Sequence, residues 1–160
     1  GTIYNPGEPN SEIQIEILHD KCDPMGILII ERDVATSAET LAAAQSLVGQ
    51  CDVIYIVTCN TAVAGLASIV GVCEENDIPL FTADVTSVEE GAVAAYGPTY
   101  YMMGETAGRI AAQILEGADP GEIPVVGAEE LLLVVNLGAA DLMGVEIPQS
   151  VLDRADTIIE

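Results

Sequence analysis

Short apolar runs of strand length alternate along this chain with stretches whose apolar residues recur at helical spacing. The clearest run is DVIYIVT at residues 52–58, in which nearly every side chain is apolar. Such a strand is typical of a parallel sheet that is covered on both faces. Because parallel strands need long, usually helical connections, the alternation predicts an α/β fold. The expected architecture is a doubly wound parallel sheet with helices on both faces, which makes three layers.

The same pattern predicts where each element lies. The predicted strands are residues 2–4, 26–34, 52–58, 78–83, 91–96 and 130–135. The predicted helices begin at Asn10 or Ser11, at Thr36 or Ser37, at Asn60 or Thr61 (ending near residue 75), and at Tyr100 (ending at residue 116), with a helical turn at 137–143 and a short helix at 148–160. The side chains expected to face the core are Ile13, Ile17 and Leu18; Leu41, Ala44, Leu47 and Val48; Val63, Leu66, Ala67 and Val70; and Met103, Ala107, Ile110, Ala111 and Ile114.

The charge balance limits the partners that the chain can bind. Asp and Glu number 26 against 4 Lys and Arg, which gives a net charge of −22. Nucleic acids and anionic bilayers are bound by clustered cations, and the basic residues of this chain are scattered. We therefore expect no nucleic-acid partner. The acidity itself fits either a well-solvated surface or adaptation to high salt.

Metal, membrane and catalytic sites find no support in the sequence. Cys22, Cys51, Cys59 and Cys73 form no CxxC pair, and His19 is the one histidine, so we expect neither a metal site nor a cofactor. Cys59 and Cys73 have apolar neighbours and are expected to be buried thiols, with one disulfide as the alternative. The apolar runs fall far short of the roughly 20 residues that a membrane span needs. No nucleophile stands beside a base, so we expect a binding protein and not an enzyme.

Polar residues follow the predicted strands, at the edge where open parallel sheets bind their ligands. Asn10, Ser11 and Asn60 lie at helix starts, where free N–H groups and the helix dipole favour a carboxylate. Thr58 ends the central strand, and Asp84 directly follows the next one, where it can meet an ammonium group. This combination predicts an amino-acid site. The alternative is that each of these residues only caps a helix.

Four stretches carry a resemblance to a known family. They are IYNPGEPNS at 3–11, AAQSLVGQCDVIYIVTCNTAVAG at 43–65, IPLFTADVTSVEEGAVAAYGPTYYMMGETAG at 78–108 and LLVVNLGAADLMGVEIPQSVLDRAD at 132–156. Together they resemble the substrate-binding proteins of ABC transporters related to the tryptophan- and tyrosine-binding type, which have the type I periplasmic-binding fold. The resemblance covers essentially the whole chain but only the second, C-terminal lobe of such a protein.

The resemblance implies a role for each candidate residue. Asn10 and Ser11 match residues that bind the ligand carboxylate, Thr58 and Asn60 match a T-x-N polar pair, and Asp84 matches the residue that faces the ammonium group. The chain departs from the family pattern at Cys59, where Asp is usual.

The resemblance also implies an organisation and a set of partners. Residues 1–160 are expected to form one lobe, with 92–117 crossing back to a first lobe that lies upstream of Gly1. The apolar face of 100–116 is then exposed in this chain, which predicts a homodimer. The implied role is extracytoplasmic solute binding for an ABC importer, with permease subunits as partners. The alternatives are the effector-binding domain of a transcription regulator and a small flavodoxin-like enzyme.

Overall fold

The structure is a computed structural model that describes residues 1–128 and 130–160. Strands and helices alternate along the chain, as the sequence predicts. The strands are β1 (Thr2–Tyr4), β2 (Glu31–Asp33), β3 (Ile54–Ile56), β4 (Leu80–Thr82), β5 (Ala94–Gly97), β6 (Leu132–Asn136) and β7 (Thr157–Ile159). The helices are α1 (Pro9–Cys22), α2 (Thr40–Leu47), α3 (Asn60–Ala64), α4 (Leu66–Glu75), α5 (Tyr100–Leu115), α6 (Leu137–Leu142) and α7 (Gln149–Leu152).

The strands lie side by side in the order 2-1-3-4-5-6-7. β1 pairs with β2, and β3 to β7 form a continuous five-stranded sheet. Hydrogen bonds from the Gly1 amino group to the Val53 carbonyl (2.7 Å) and from the Tyr55 N–H to the Gly1 carbonyl (2.8 Å) join these two parts. The first five strands therefore follow the flavodoxin-like order 2-1-3-4-5.

The pairing of β5 with β6 departs from the expected parallel sheet. These two strands are antiparallel, with Gly97 opposite Leu132, whereas the other pairs are parallel. Between the two strands the chain leaves the sheet for α5 and then returns to the position beside its point of departure. The fold is confirmed as α/β with a largely parallel sheet, and its last two strands run against the others.

The main core lies between the central strands and the helices α2 and α4. Ile54, Ile56 and Leu80 are fully buried, and they pack with Leu47 and Ile69 in one apolar cluster. Alternate strand residues point to opposite faces, so Tyr55 and Phe81 lie on the other face, where they are only partly buried. None of the helices in the described ranges is long and apolar enough to cross a membrane.

Several boundaries and faces differ from the prediction. In α1 the side chains toward the core are Ser11, Ile15 and the half-buried Leu18, spaced at four and three residues, so Ile13 is 56% exposed on another face. The predicted strand at 26–34 is short because only Glu31–Asp33 pairs with β1, and Leu28 before it is 81% exposed. Four further side chains outside α5 that were predicted to face the core are exposed, Ile17, Leu41, Val48 and Ala67. The predicted final helix at 148–160 is instead the short α7 followed by β7.

The predicted helix from 60 to 75 is two helices, because Gly65 interrupts it between α3 and α4. A Cβ atom at Gly65 would lie 2.9 Å from the Ser37 carbonyl oxygen and 2.6 Å from Cγ2 of Thr40, which is too close for any side chain. The Thr40 hydroxyl donates a 3.2 Å hydrogen bond to the Gly65 carbonyl. This contact packs the end of α3 against the start of α2.

Helix α5 is amphipathic and buries no residue in this chain. Thr99 caps its start, accepting a hydrogen bond from the Met102 N–H at 3.2 Å, and Gly117 follows its end with a φ of 107°. Most of the side chains predicted to face the core are therefore exposed here, with Met103 at 42%, whereas Ile110 is half-buried. The apolar face of α5 lies open, as expected for this chain alone.

Candidate functional site

The candidate site lies where β1, β3 and β4 end at their carboxyl edge. Ile56 of β3 is paired with Thr82 of β4, and Thr58 and Asp84 each lie two residues farther along their strands. Neighbouring strands are about 4.8 Å apart, so these two polar residues follow the carboxyl ends of adjacent strands. The loop that follows β1 reaches the same edge through Asn5, whose Nδ2 donates to Oγ1 of Thr61 at 3.0 Å.

A polar turn leads from β1 into α1. The Asn5 side-chain oxygen accepts a hydrogen bond from the Gly7 N–H at 2.8 Å, and the Asn5 carbonyl accepts one from the Glu8 N–H. Pro9 occupies the first position of α1, where its missing N–H is tolerated. The N–H groups of Ser11 and Glu12 bond to the Glu8 carbonyl. Among the described residues nothing accepts from the Asn10 N–H, which is therefore free for a ligand.

The Glu8 carboxylate occupies the start of α3. Its Oε2 accepts from the main-chain N–H of Asn60 at 2.8 Å and from Nδ2 of Asn60 at 3.0 Å. Its Oε1 accepts from the Thr61 N–H at 2.9 Å, from the Thr61 hydroxyl at 2.6 Å and from the Cys59 thiol at 3.5 Å. A protein carboxylate thus fills the helix start at which the sequence predicted a ligand carboxylate.

These hydrogen bonds govern the ionisation of Glu8. Partial burial raises the pKa of its carboxyl group, but the hydrogen bonds from Thr61, Asn60 and Cys59 outweigh that effect and lower the pKa to about 2. Glu8 is therefore ionised at neutral pH. Glu8 is not among the site residues predicted from the sequence. The available signal was an acidic residue in the turn after the first strand, facing two helix-start donors across the sheet edge.

Asn10 and Ser11 hold the end of β3 in place. Nδ2 of Asn10 donates to the Thr58 carbonyl at 2.6 Å, and the Ser11 hydroxyl lies 3.4 Å from the same oxygen. Gln14 completes the link, because its Oε1 accepts from the Thr58 N–H at 2.9 Å. Asn10 and Thr58 are exposed, whereas Ser11 is fully buried in this conformation. The structure therefore brings Asn10, Ser11 and Thr58 together.

Cys59 is the N-cap of α3. Its sulfur accepts from the Ala62 N–H at 3.5 Å and from the Asn5 N–H at 3.3 Å, while its thiol donates to Glu8. The side chain is fully buried, as the sequence predicted. A residue with both donor and acceptor capacity suits this position, because an ionised carboxylate lies on one side of it and two N–H groups on the other.

Asp84 follows β4 and caps a turn of 3-10 helix at Val85–Val88. Its two carboxylate oxygens accept from the Thr86 N–H at 3.1 Å and from the Thr86 hydroxyl at 2.7 Å. The carboxylate is only partly buried. It keeps free lone pairs, since a carboxylate has about four acceptor sites.

The arrangement suits a small polar ligand. No cluster of metal-ligating side chains exists within residues 1–128 and 130–160. Arg32, the basic residue in a strand, is held away from this edge by Ser46 and Gln50. The fold and this edge are typical of a small-molecule binding domain, in which donors come from main-chain N–H groups and amides, and acceptors from Asp84 and amide oxygens.

The comparison with protein families agrees. A family model described as ABC transporter substrate binding protein matches residues 1–159. The chain therefore belongs to the family of ABC transporter substrate-binding proteins. This confirms the resemblance found in the sequence, and with it the expectation of a binding protein and not an enzyme.

Individual relatives give the same result. The chain is 38% identical over 136 residues to a tyrosine-binding protein of Clostridioides difficile strain R20291, covering 85% of this chain and 39% of that protein. A conserved domain protein from Vibrio cholerae has the same fold, with a TM-score of 0.92 and 35% identity over 99% of this chain and 53% of its own. An ABC domain from Streptococcus pneumonia in complex with L-Trp gives a TM-score of 0.91 and 26% identity over 99% of this chain and 54% of its own. The chain thus spans about half or less of the length of these relatives.

Proposed function

We propose that this chain is the ligand-binding lobe of an ABC importer's solute-binding protein and that it binds an amino acid or a similar small zwitterion. The observation that carries the proposal is the pairing of a free N–H donor at Asn10 with the acceptor carboxylate of Asp84 at one edge of the sheet. Family membership and the L-Trp-bound and tyrosine-binding relatives support an aromatic amino acid as the ligand.

Each candidate residue has a role in this proposal. The start of α1, with the Asn10 N–H, receives the ligand carboxylate, and Asp84 receives the ammonium group. Thr58 and Asn60 supply polar contacts between these two ends. Ser11, which is buried, supports the Thr58 carbonyl from beneath.

The proposal extends to the organisation of the longer protein. Residues 1–160 form one lobe. Within the segment 92–117, residues 94–97 form β5 of this sheet, and the remainder, with α5, crosses to a first lobe whose surface covers α5. Permease subunits are the protein partners, and the location is extracytoplasmic, as the family implies. The open apolar face of α5 supports the crossing, because a helix with this pattern normally packs against a partner surface. In the chain alone the same face forms a homodimer.

The test is a titration of the isotope-labelled chain with L-tryptophan and with L-tyrosine, followed by NMR. We expect the resonances of Asn10, Thr58, Asn60 and Asp84 to shift together. Asp84→Ala is expected to weaken the affinity by about tenfold or more, since a hydrogen bond to a charged group contributes roughly 1.5–3 kcal/mol.

The matched control is Asp52→Ala. Asp52 is exposed and precedes β3 at the opposite edge of the same sheet, so its loss removes the same charge without touching the site. Equal affinities for the two variants would overturn the role of Asp84. Ligand-induced shifts at an unrelated surface would overturn the site as a whole.

A further inference from the structure

The Asn60 carboxamide, just beyond the end of β3, has one defined orientation. Its Nδ2 donates to Oε2 of Glu8 at 3.0 Å. Because an ionised carboxylate only accepts hydrogen bonds, the N–H side of the amide must face Glu8. Oδ1 of Asn60 therefore points away from Glu8. The side chain is exposed, and no donor in the described part of the chain bonds to this oxygen.

We infer that Glu8 is a positioning residue that makes Asn60 a hydrogen-bond acceptor at the open edge of the site and thereby selects ligands that carry an ammonium group. This inference rests on the proposed function. Asn60 Oδ1 and the Asp84 carboxylate follow adjacent strands, and both accept hydrogen bonds. An ammonium group has three donors and no acceptor, so it satisfies both. A ligand carboxylate at the same place meets only acceptors.

Glu8 acts on the ligand through Asn60 and does not contact it. Its two oxygens already accept from Asn60, Thr61 and Cys59 in five hydrogen bonds. A carboxylate has about four lone-pair sites, so the protein itself saturates this group. The negative charge remains, and it lies one side chain away from the ligand position.

The substitution Glu8→Gln tests whether Glu8 orients the Asn60 amide. The glutamine keeps one acceptor oxygen but replaces the other with an NH2 group, which cannot accept from Asn60 or Thr61. The Asn60 amide then turns its oxygen toward that NH2 group, and its own NH2 faces the ligand. We therefore expect the Asn60 side chain to present a hydrogen-bond donor to the ligand in place of an acceptor, while the fold is kept.

The experiment compares three probes on the labelled chain by NMR titration. L-tyrosine carries both charged groups, tyramine lacks the carboxylate, and 3-(4-hydroxyphenyl)propionate lacks the ammonium group. In the unaltered chain we expect L-tyrosine and tyramine to shift the side-chain resonances of Asn60, and the propionate to leave them unshifted. In Glu8→Gln we expect the tyramine affinity to fall by about tenfold, the loss of one charge-assisted interaction.

Glu16→Gln is the matched control, because Glu16 is an exposed residue of α1, the helix that follows Glu8, and the change in charge is the same. It should bind all three probes as the unaltered chain does. A tyramine affinity in Glu8→Gln equal to that of the unaltered chain overturns the inference and leaves the proposed function standing.

A ligand-free measurement separates failure of the inference from failure of the proposed function. Hydrogen exchange at the Asn60 and Thr61 N–H groups should be faster in Glu8→Gln than in the unaltered chain, with the exchange at Ile56 unchanged. If L-tyrosine and L-tryptophan shift nothing at this edge, the proposed function fails, and faster exchange still supports the positioning role. Unchanged exchange overturns that role whatever the ligand result.

Discussion

The Glu8 carboxylate accepts a 2.6 Å hydrogen bond from the hydroxyl of Thr61, a residue 53 positions away in the chain. This bond joins the turn after β1 to the start of α3, and four further hydrogen bonds to the same carboxylate strengthen the link. One ionised side chain therefore contributes five of the hydrogen bonds that join these two parts of the candidate site, beside those made by Asn5 and Asn10.

Acid should weaken this link in a defined range of pH. The hydrogen bonds lower the pKa of Glu8 from an ordinary 4.5 to about 2, so its contribution to stability is present above pH 4.5 and lost as the pH falls toward 2. The free energy of unfolding of the unaltered chain should exceed that of Glu8→Gln by about 1–3 kcal/mol near neutral pH. The difference should shrink between pH 4.5 and 2 in urea titrations. A difference that is constant with pH would contradict this account. The control Glu16→Gln should have the same free energy of unfolding as the unaltered chain.

The two buried cysteines should respond in opposite order to Ala and Ser. Cys59 accepts two N–H groups as the cap of α3, so Cys59→Ala should cost about 1–2 kcal/mol and Cys59→Ser less. Cys73 is fully buried in the apolar cluster, where burial, with smaller contributions from Cys51 and Glu74, raises the pKa of its thiol to about 12. There a hydroxyl without a good partner costs roughly 1–3 kcal/mol, so Cys73→Ala should be tolerated better than Cys73→Ser. Urea unfolding measures the free energy of unfolding of all four variants. If Ala and Ser rank in the same order at both positions, Cys59 does not stabilise α3 as its cap.

His19 should titrate above its ordinary pKa. Its Nε2 lies 2.8 Å from Oε1 of Glu31, and this hydrogen bond is the main reason that the pKa of His19 is raised above 6.5. The stabilisation from this pair is fully present below pH 6.5 and is lost as the pH rises through the raised pKa. In an NMR titration, Glu31→Gln should move the pKa of His19 back toward 6.5. Asp20→Asn, which removes a nearby exposed charge, should change it far less; equal shifts would assign the effect to general electrostatics.

The open face of α5 should make the chain self-associate. Ile110→Glu introduces a charge into the apolar stripe that includes Met103 and Ala107, and it should shift the chain to a monomer in sedimentation equilibrium. Ala112→Glu adds the same charge on the opposite side of the helix and should leave the association unchanged. Association that both variants abolish would point to net charge as the cause, and a monomeric unaltered chain would refute the homodimer.

The sequence predicted the elements of the fold better than their faces. Periodicity located helix α5 to within one residue, and it placed the central strand within residues 52–58, of which Ile54–Ile56 form β3. It placed Ile13 in the core because it cannot show which stripe of a short helix meets the sheet. It did not predict the break at Gly65, since the cause is the close approach of Ser37 and Thr40 from another part of the chain.

The candidate site could likewise be predicted in part from the sequence. Strand ends and helix starts in the sequence pointed to Asn10, Ser11, Thr58, Asn60 and Asp84, and the structure places all five at one edge of the sheet. The sequence could not show that a carboxylate of the chain fills the start of α3. That fact depends on Glu8 reaching across from a loop 53 residues away, and local patterns carry no information on such distances.

The antiparallel pairing of β5 and β6 has a consequence for how the chain is built. Gly97 and Leu132 lie opposite each other, so the two strands form a hairpin into which residues 98–131 are inserted as one long excursion. The entropic cost of closing a loop rises only slowly with its length, so the sheet tolerates an insertion of this size at that point. The excursion enters and leaves through adjacent backbone positions, and it can therefore be replaced by a tight turn, leaving a minimal sheet that still displays the edge where Asn10, Thr58 and Asp84 meet.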